Sequence, residues 1–261
     1  MKSDFDMIIK RFPGNENITV IPVSDVHLGA AEHMSREWAM FCDKVLQAPN
    51  TYITLGGDLI NNGLKNSVTN VYEETIRPRE QKRMMAEMLE PLRSRILCAV
   101  SGNHERRSLR ESDDDPVYDI MCKLDLEDLY RENLAFIKIQ VGDQNGCGER
   151  NPTYMLAVTH GDGGSVYTGA SSVKAERFGL AIDGIDALIV GHVHKPLSYP
   201  SGKIYVDKFN NRISIKPWRV IVASSWMGYS SYAMQKMLAP TVHCLQEIQL
   251  CGDRKEIKVL Q

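Results

Sequence analysis

The chain has 261 residues, of which 43% are hydrophobic and 25% charged, a composition typical of a globular protein rather than a disordered or fibrous one. Its formal net charge of −2 excludes a globally basic surface for nucleic acid or membranes, although a local basic strip is compatible with it. No apolar run approaches the roughly 18 residues of a membrane span, and residues 1–14 carry charges throughout, unlike a secretory signal. We expect a cytoplasmic protein of one domain, residues 1–261, without a membrane partner.

Cysteine usage agrees with a reducing compartment. No C-x-x-C pair occurs, and several cysteines stand within apolar patterns, which predicts buried free thiols. The six residues are Cys42, Cys98, Cys122, Cys147, Cys244 and Cys251.

The first predicted strand, residues 17–24, leads into Asp25 and His27. Residues two apart on an extended chain face the same way, so a carboxylate and an imidazole project together, as suits a divalent cation. The alternative is an aspartate that caps the next turn, with an incidental histidine. Residues 35–46 follow as a predicted helix with Ser35 as its N-cap. Its inward face is predicted to carry Trp38, Phe41, Val45 and Leu46.

The second predicted strand, residues 51–55, ends in two glycines and Asp58. The glycines allow a sharp turn, and the two oxygens of a carboxylate can bridge a pair of cations. A simple turn aspartate is the alternative.

A helical region interrupted near Arg77 and Pro78 is predicted for residues 66–93. Its methionine and leucine stripe is typical of core packing: Met84, Met85, Met88, Leu89 and Leu92. Residues 77–110 hold nine Lys or Arg and four Glu, a local net of 9 − 4 = +5. A solvated helix face is favoured there over a nucleic-acid strip.

The third predicted strand, residues 96–100, runs into Gly102, Asn103 and His104. An asparagine offers a neutral oxygen to a metal, and a histidine can transfer a proton. The adjacent Arg106 and Arg107 are candidates for contact with a substrate phosphate. Farther on, Asp115 as N-cap and Pro116 as first helical residue predict a helix start, so the acidic run at residues 113–115 needs no metal.

Two more strand ends carry histidines. Residues 154–159 lead into His160, and residues 186–190 lead into His192 and His194, with a predicted helix at 170–181 between them. The alternative for the histidine pair is two exposed turn residues. A strand at 134–141 and a loop at 143–152 come earlier, and residues 195–261 form a β-rich part predicted to complete the second sheet.

Five strand ends therefore supply carboxylate, amide and imidazole groups without a thiolate motif. Such coincidences favour a clustered site for Mn²⁺, Fe or Zn²⁺ over a structural zinc site. The residues are Asp25, His27, Asp58, Asn103, His104, His160, His192 and His194.

The motifs at these positions resemble those of the calcineurin-like metallophosphoesterase superfamily, in the same order. They are Asp-Val-His at 25–27, Gly-Gly-Asp at 56–58, Gly-Asn-His-Glu at 102–105, His-Gly at 160–161 and Gly-His-Val-His at 191–194. The opening Asp-Val-His-Leu-Gly is similar to the nuclease branch of the superfamily, which usually has Asp where Glu105 stands. The residues after Asp58 are unlike those of the protein serine/threonine phosphatases.

The resemblance implies an α/β (α+β) fold of four layers, with two mixed β-sheets packed face to face and helices outside. It implies two divalent ions, Mn²⁺ first, with Fe, Zn²⁺ or Ni²⁺ as alternatives. One ion would bind Asp25, His27 and His194, and the other Asn103, His160 and His192. Asp58 would bridge them, and His104 would stay free of metal over the leaving group.

The implied activity is phosphoester hydrolysis by a hydroxide that bridges the metals, with Asp58, Asn103 and His104 as catalytic residues. Glu105 and Asp162 are candidates to orient the histidines, with helix capping or a surface ion pair as equal alternatives. Our first hypothesis is a phosphodiesterase or nuclease acting on nucleic acid or nucleotides. The second is a small-molecule phosphatase or pyrophosphatase, and the third a binding scaffold without catalysis. The oligomeric state is left open.

Overall fold

The structure is a computed structural model that describes residues 2–65, 67, 71–142, 151–163, 168–229, 231–235, 237 and 239–261. Most of the predicted loop at 143–152 and Cys147 lie outside these residues. The strands are β1 Ile8–Phe12, β2 Ile18–Val23, β3 Thr51–Leu55, β4 Ile96–Val100, β5 Tyr130–Arg131, β6 Leu134–Val141, β7 Thr153–Thr159, β8 Ala187–Val190, β9 Leu197–Asp207, β10 Arg212–Val222, β11 Glu247–Leu250 and β12 Ile257–Leu260. The α-helices are α1 Ser35–Gln47, α2 Pro78–Leu89, α3 Glu105–Ser112, α4 Pro116–Lys123, α5 Thr168–Leu180 and α6 Ser231–Gln235. Short 3-10 helices span Val71–Glu73, Glu90–Arg95 and Glu127–Leu129.

The strands form two mixed sheets of six strands each. Sheet I has the order β1-β6-β7-β8-β10-β9, and sheet II has the order β12-β11-β2-β3-β4-β5. In sheet II, β2 to β5 run parallel and β11 antiparallel. In sheet I, β7, β8 and β10 run parallel, flanked by antiparallel β6 and β9. The prediction of two mixed sheets is confirmed.

Three apolar clusters separate four layers. One lies between the two sheets and includes Val20 of β2, Val158 of β7 and Ile221 of β10. A second fills the space between sheet II and helices α1, α2 and α4. The third packs α5 against the outer face of sheet I, where Trp218 contacts the helix at Gly179. The predicted order of helix, sheet, sheet and helix is therefore confirmed.

Helix α1 departs from its prediction in two details. Met34 occupies the cap position, and the Ser35 hydroxyl bonds back to the His33 carbonyl rather than to a helix amide. Leu46 is exposed, because it lies a further 100° around the helix from the buried Val45. The prediction for these two residues was wrong.

The region predicted as helical from residue 66 contains a regular helix only from Pro78 in its described part. Arg77 is extended, as the residue before a proline usually is, and Val71–Glu73 forms only a 3-10 turn. The apolar stripe is core, as expected, with Met85, Leu89 and Leu92 fully buried. The helix start at Asp115 is also confirmed, since its carboxylate accepts bonds from the Val117 and Tyr118 amides.

The C-terminal region does not join one sheet alone. Strands β9 and β10 extend sheet I, whereas β11 and β12 extend sheet II. The prediction that residues 195–261 complete the second sheet therefore covers only part of the arrangement. The strands divide because β10 aligns parallel to β8, whereas β11 pairs antiparallel with β2 of the other sheet.

Thiol labelling provides a test of the core. Burial raises the pKa of Cys98 to about 12 and that of Cys42 to about 11, whereas Cys122 is exposed. Because the thiolate is the reactive form, we expect iodoacetamide at pH 8 to modify Cys122 at least about 100-fold faster than Cys98. Peptide mass spectrometry measures each rate, with the unfolded chain as the control. Equal native rates would contradict the described packing.

Candidate metal centre

The carboxyl ends of five strands meet at one edge of the two sheets. Strands β2, β3 and β4 of sheet II and β7 and β8 of sheet I end there, since parallel strands bring equivalent ends together. The loops that follow them are joined across the sandwich, where the His192 amide donates to Asp25 Oδ2 at 2.8 Å. The structure brings together all eight side chains that the sequence singled out, as the contacts below establish.

The first cluster contains Asp25, His27 and His194. Nε2 of His194 lies 3.1 Å from Asp25 Oδ1 and 3.4 Å from Nε2 of His27. Asp25 and His27 are almost completely buried, at 0% and 4% exposure. An oxygen and two ring nitrogens therefore converge on one small volume.

The second cluster contains Asp58, His160 and His192, with the Asn103 amide between the two rings. Asn103 Oδ1 lies 2.9 Å from His160 Nε2 and 2.7 Å from His192 Nδ1. Asp58 Oδ2 is 3.3 Å from His160 Nε2. The same carboxylate oxygen is 3.8 Å from His27 Nε2 of the first cluster. Asp58 is thus shared by both clusters.

The donor chemistry of this arrangement fits divalent cations. His160 Nδ1 donates to the Gly56 carbonyl at 2.8 Å, and His192 Nε2 donates to the Gly163 carbonyl at 2.7 Å. The other nitrogen of each neutral ring then presents a lone pair toward Asn103 Oδ1, which is also an acceptor. Acceptors that face one another need a proton or a cation between them. Mixed oxygen and imidazole ligands suit Mn²⁺, Fe or Zn²⁺.

His104 lies beside both clusters and forms a third convergent group with His27 and Asp58. Its Nδ1 donates to the Asn61 carbonyl at 2.7 Å, which turns Nε2 toward Asp58 Oδ2 at 3.9 Å. Its backbone amide donates to Asp58 Oδ1 at 2.8 Å. The ring side chain is 15% exposed, so it borders the opening of the site. His104 is therefore positioned to exchange a proton with a bound molecule.

The backbone at these positions is unusual. Five of the candidate residues have φ between 48° and 68°, a left-handed conformation that non-glycine residues seldom adopt: Asp25, His27, Asp58, His192 and His194. Such conformations persist where the surrounding structure holds them, and they concentrate at functional sites. The turns aim the side chains back over the ends of the strands.

The buried Glu105 holds the Asp58 loop. Its carboxylate accepts hydrogen bonds from the amides of Asp58, Leu59 and Ile60 at 2.9, 2.7 and 3.2 Å. A fourth bond comes from the Gly102 amide at 3.0 Å. Burial and the Asp58 carboxylate raise the pKa of Glu105 to about 8, while hydrogen bonds from the amides of Ile60 and Asp58 oppose that rise. Glu105 therefore orients the Asp58 loop rather than a histidine.

Close backbone approach requires glycine at two positions. A Cβ on Gly57, whose φ is +86°, would lie 2.5 Å from the Gly102 nitrogen. A Cβ on Gly102 would lie 2.1 Å from Asp58 Oδ1. The two loops therefore interlock only because neither carries a side chain at the crossing point.

Opposite charges determine the titration of the buried groups. Burial raises the pKa of Asp58, but the His160 and His104 rings outweigh it and hold that pKa well below its usual range. Burial lowers the pKa of His160, but the carboxylates of Asp58 and Asp25 together have a larger, opposite effect and raise that pKa to about 10. Burial lowers the pKa of His104, which Asp58 only partly offsets. Without cations, a proton on His160 compensates the buried carboxylates.

The candidate substrate-binding arginines lie on different sides of α3. Arg107 approaches the site, with Nη1 3.4 Å from the Asn61 carbonyl. Arg106 instead reaches the Glu132 carbonyl at 3.5 Å, on the strand connection behind it. Asp162 forms an exposed ion pair with Lys174 at 2.9 Å, so it orients no histidine.

Part of the basic stretch at 77–110 pairs with nearby acids. Arg83 pairs with Glu80 and Glu87, and Lys82 pairs with Asp114 and Asp119 at 2.7 and 2.8 Å. Ion pairs of this kind are typical of a solvated helix face.

Sequence reasoning missed the backbone groups that orient the rings. The carbonyls of Gly56, Asn61 and Gly163 each accept a bond from a site histidine. A carbonyl is common to every residue, so no residue type indicates this role. Asn62 was also missed; its amide group donates to the His104 carbonyl and to the Ser108 hydroxyl.

Comparison with known proteins agrees with the site. A sequence model of the calcineurin-like phosphoesterase family matches residues 18–196, and the chain belongs to that family. Its members hydrolyse phosphoesters with metal ions, and the clusters above are the candidate ligand groups of this chain. Among curated proteins, none matches.

Two solved structures are similar in part. A conserved Streptococcus pneumoniae protein described as a predicted phosphoesterase is 11% identical, with a TM-score of 0.39, covering 95% of this chain and 91% of its own. A Sphaerobacter thermophilus metallophosphoesterase is 16% identical, with a TM-score of 0.38, covering 81% of this chain and 78% of its own. Within the described part of the chain, no helix has the length and apolar character needed to cross a membrane.

Replacing Glu105 tests its hold on the Asp58 loop. In Glu105→Gln an amide NH₂ replaces one carboxylate oxygen and faces backbone donors, so we expect unfolding free energy to fall by about 3 kcal/mol. Bound Mn²⁺ should fall with it. Denaturant unfolding and metal analysis measure both effects. Glu111→Gln, an exposed site on the same helix, is the control; equal behaviour of the two variants would contradict the role of Glu105.

Metal binding should depend on pH. With a pKa of about 10, His160 is protonated at neutral pH in the metal-free protein, and a cation must displace that proton. We expect the apparent Mn²⁺ affinity to rise about tenfold per pH unit between pH 6 and pH 8. Calorimetry in buffers of different ionisation enthalpy counts the protons released. An affinity independent of pH, with no proton release, would contradict this assignment.

Proposed function

We propose that this chain hydrolyses phosphoesters with two divalent cations. One cation would bind Asp25, His27 and His194, and the other Asn103, His160 and His192, with Asp58 contacting both. The observation that carries the proposal is the sharing of Asp58, whose Oδ2 lies 3.8 Å from His27 Nε2 and 3.3 Å from His160 Nε2. A carboxylate between two ligand sets is the arrangement that a metal pair requires.

Bound cations, Mn²⁺ first, would supply hydroxide near neutral pH and neutralise phosphate charge. The protein must hold the ligand atoms in place for the cations, so that the carboxylates bind cations rather than protons. Hydrogen bonds to backbone carbonyls fix the rings of His160 and His192, so that the other ring nitrogen of each is directed into the site. Glu105 accepts a hydrogen bond from the Asp58 backbone amide, and the His104 amide donates to Asp58 Oδ1, so both the Asp58 loop and its carboxylate are held in place. These contacts keep the donors at the separations that cations need.

His104 is the proposed general acid for the leaving alcohol. The Asn61 carbonyl fixes its Nδ1–H, so Nε2 is the nitrogen that faces a substrate. A proton on Nε2 would pass to the departing oxygen as the phosphorus–oxygen bond breaks. The Asp58 carboxylate 3.9 Å away favours that protonated form against the effect of burial.

Arg107 is the proposed contact for a non-bridging phosphate oxygen. It adds one positive charge beside His104, which suits a phosphate oxygen of the substrate. Because residues 25–29 are similar to the nuclease branch of the family, the diester of a nucleotide or nucleic acid is our proposed substrate class. Arg106 faces Glu132 instead and has no direct part in this proposal.

Turnover by wild type and His104→Ala tests the proposal. With Mn²⁺ we expect diester hydrolysis of bis-p-nitrophenyl phosphate and single-stranded DNA, reduced about 10²–10⁴-fold in the variant. Metal content should stay at two ions per chain in both proteins. His104→Asn is a matched variant that keeps a donor toward the Asn61 carbonyl but lacks the acid. The loss should be larger for alkyl esters than for nitrophenyl esters, because a poor leaving group depends more on the acid.

Other outcomes discriminate between substrates. Turnover of p-nitrophenyl phosphate alone would replace the diester proposal with a small-molecule phosphatase. Activity on DNA that weakens steeply with salt would identify a polyanion substrate. Absence of bound metal in the wild type would contradict the entire proposal.

A further inference from the structure

The hairpin formed by β9 and β10 projects beyond the rest of sheet I. The two strands pair with each other from Asp207 and Arg212 to Leu197 and Val222. Strand β8 pairs only with residues 219–222 of β10. Residues 198–218 therefore include a two-stranded arm that extends past the neighbouring strand.

One face of the outer part of this arm, beyond the Pro200 and Arg219 pair, is apolar. Register places Ile204 opposite Ile215 and Val206 opposite Ile213, and residues paired directly across strands share a face. Their exposures are 78%, 75%, 64% and 73% in that order. Phe209 at the turn is 83% exposed. Four β-branched side chains thus form a continuous exposed patch, which we call the arm face.

The arm face continues the interior of the sandwich. Ile221 has the same parity along β10 as Ile213 and Ile215, and it is fully buried between the two sheets. The arm face is therefore the surface that a facing sheet covers elsewhere. Sheet II does not cover the arm face, because its four side chains are largely exposed.

The opposite face of the arm is already used. Lys203 donates to the Gly179 carbonyl at the end of α5, and the Lys216 ammonium lies 3.1 Å from the centre of the Tyr205 ring. Trp218 on this face is buried against α5. The two faces therefore differ in chemistry. The face toward α5 carries Lys203 and Lys216, whereas the arm face carries no lysine.

We infer that the arm face binds the arm face of a second copy of this chain. The four arm-face side chains are uncharged, and an uncharged β-branched surface fits an equally uncharged partner. A two-fold axis through the patch makes it self-complementary.

The area is sufficient for such a contact. At roughly 100 Å² for each largely exposed side chain, the arm face with Phe209 presents about 500 Å² per copy. Two copies would bury about 1,000 Å², the lower limit for a specific interface.

Matched lysine substitutions on the two faces test this inference. Ile215→Lys places a charge in the arm face, and Ser214→Lys adds the same charge one residue away on the other face. By sedimentation equilibrium or light scattering from about 1 to 100 µM, we expect dimers for wild type and Ser214→Lys. Ile215→Lys should raise the dimer dissociation constant at least about 100-fold.

Both substitutions change exposed positions, so thermal unfolding and hydrolysis by the monomer should match the wild type. A wild type that stays monomeric over this range would overturn the inference, as would a dimer unaffected by Ile215→Lys. Monomers that bind vesicles of phosphatidylglycerol through Ile215 would replace the second copy with a lipid surface.

Discussion

The buried negative charge of Asp25 and Asp58 is the constraint on which this structure depends. A carboxylate withdrawn from water is strongly disfavoured unless hydrogen bonds and opposite charges compensate it. Asp25 receives the His192 amide and the His194 ring, and Asp58 receives the His104 amide and the His160 ring. These partners come from loops of both sheets. Compensation therefore holds together the two sheet edges that carry the candidate metal centre, and it concentrates imidazole around the carboxylates.

Backbone groups determine how the compensating rings are presented. Each of the rings of His104, His160 and His192 donates one N–H to a carbonyl, so its other nitrogen is directed into the site. Glu105 binds backbone donors rather than presenting a ring. Its carboxylate accepts hydrogen bonds from four amides around the Asp58 loop that would otherwise lack partners. A ligand set fixed in this way needs little rearrangement when a cation replaces a proton. The proposed hydrolysis depends on these contacts.

The proposed association surface is separate from this centre for a topological reason. Strand β10 ends at Val222, beside the end of β8 and thus at the edge of the candidate metal centre, whereas its first half leaves the sheet in the opposite direction. An arm directed away from the site can bind a second copy while the opening near His104 stays accessible. The two regions also differ in charge, because the arm face is uncharged whereas the candidate metal centre consists of ionisable groups.

The sequence by itself indicated the strands and the residue types of the candidate site, because strand patterns, glycine turns and residue types are local properties, and the resemblance of its motifs to a known family implied the four layers. It indicated every Asp, Asn and His of the two clusters and the helix start at Asp115. Only the tertiary structure decided what Glu105 contacts, which arginine approaches the site, and how residues 195–261 divide between two sheets. It also decided that Leu46 is exposed and that residues 71–76 form no regular helix. These properties depend on which distant segment packs alongside, and no local pattern specifies that neighbour.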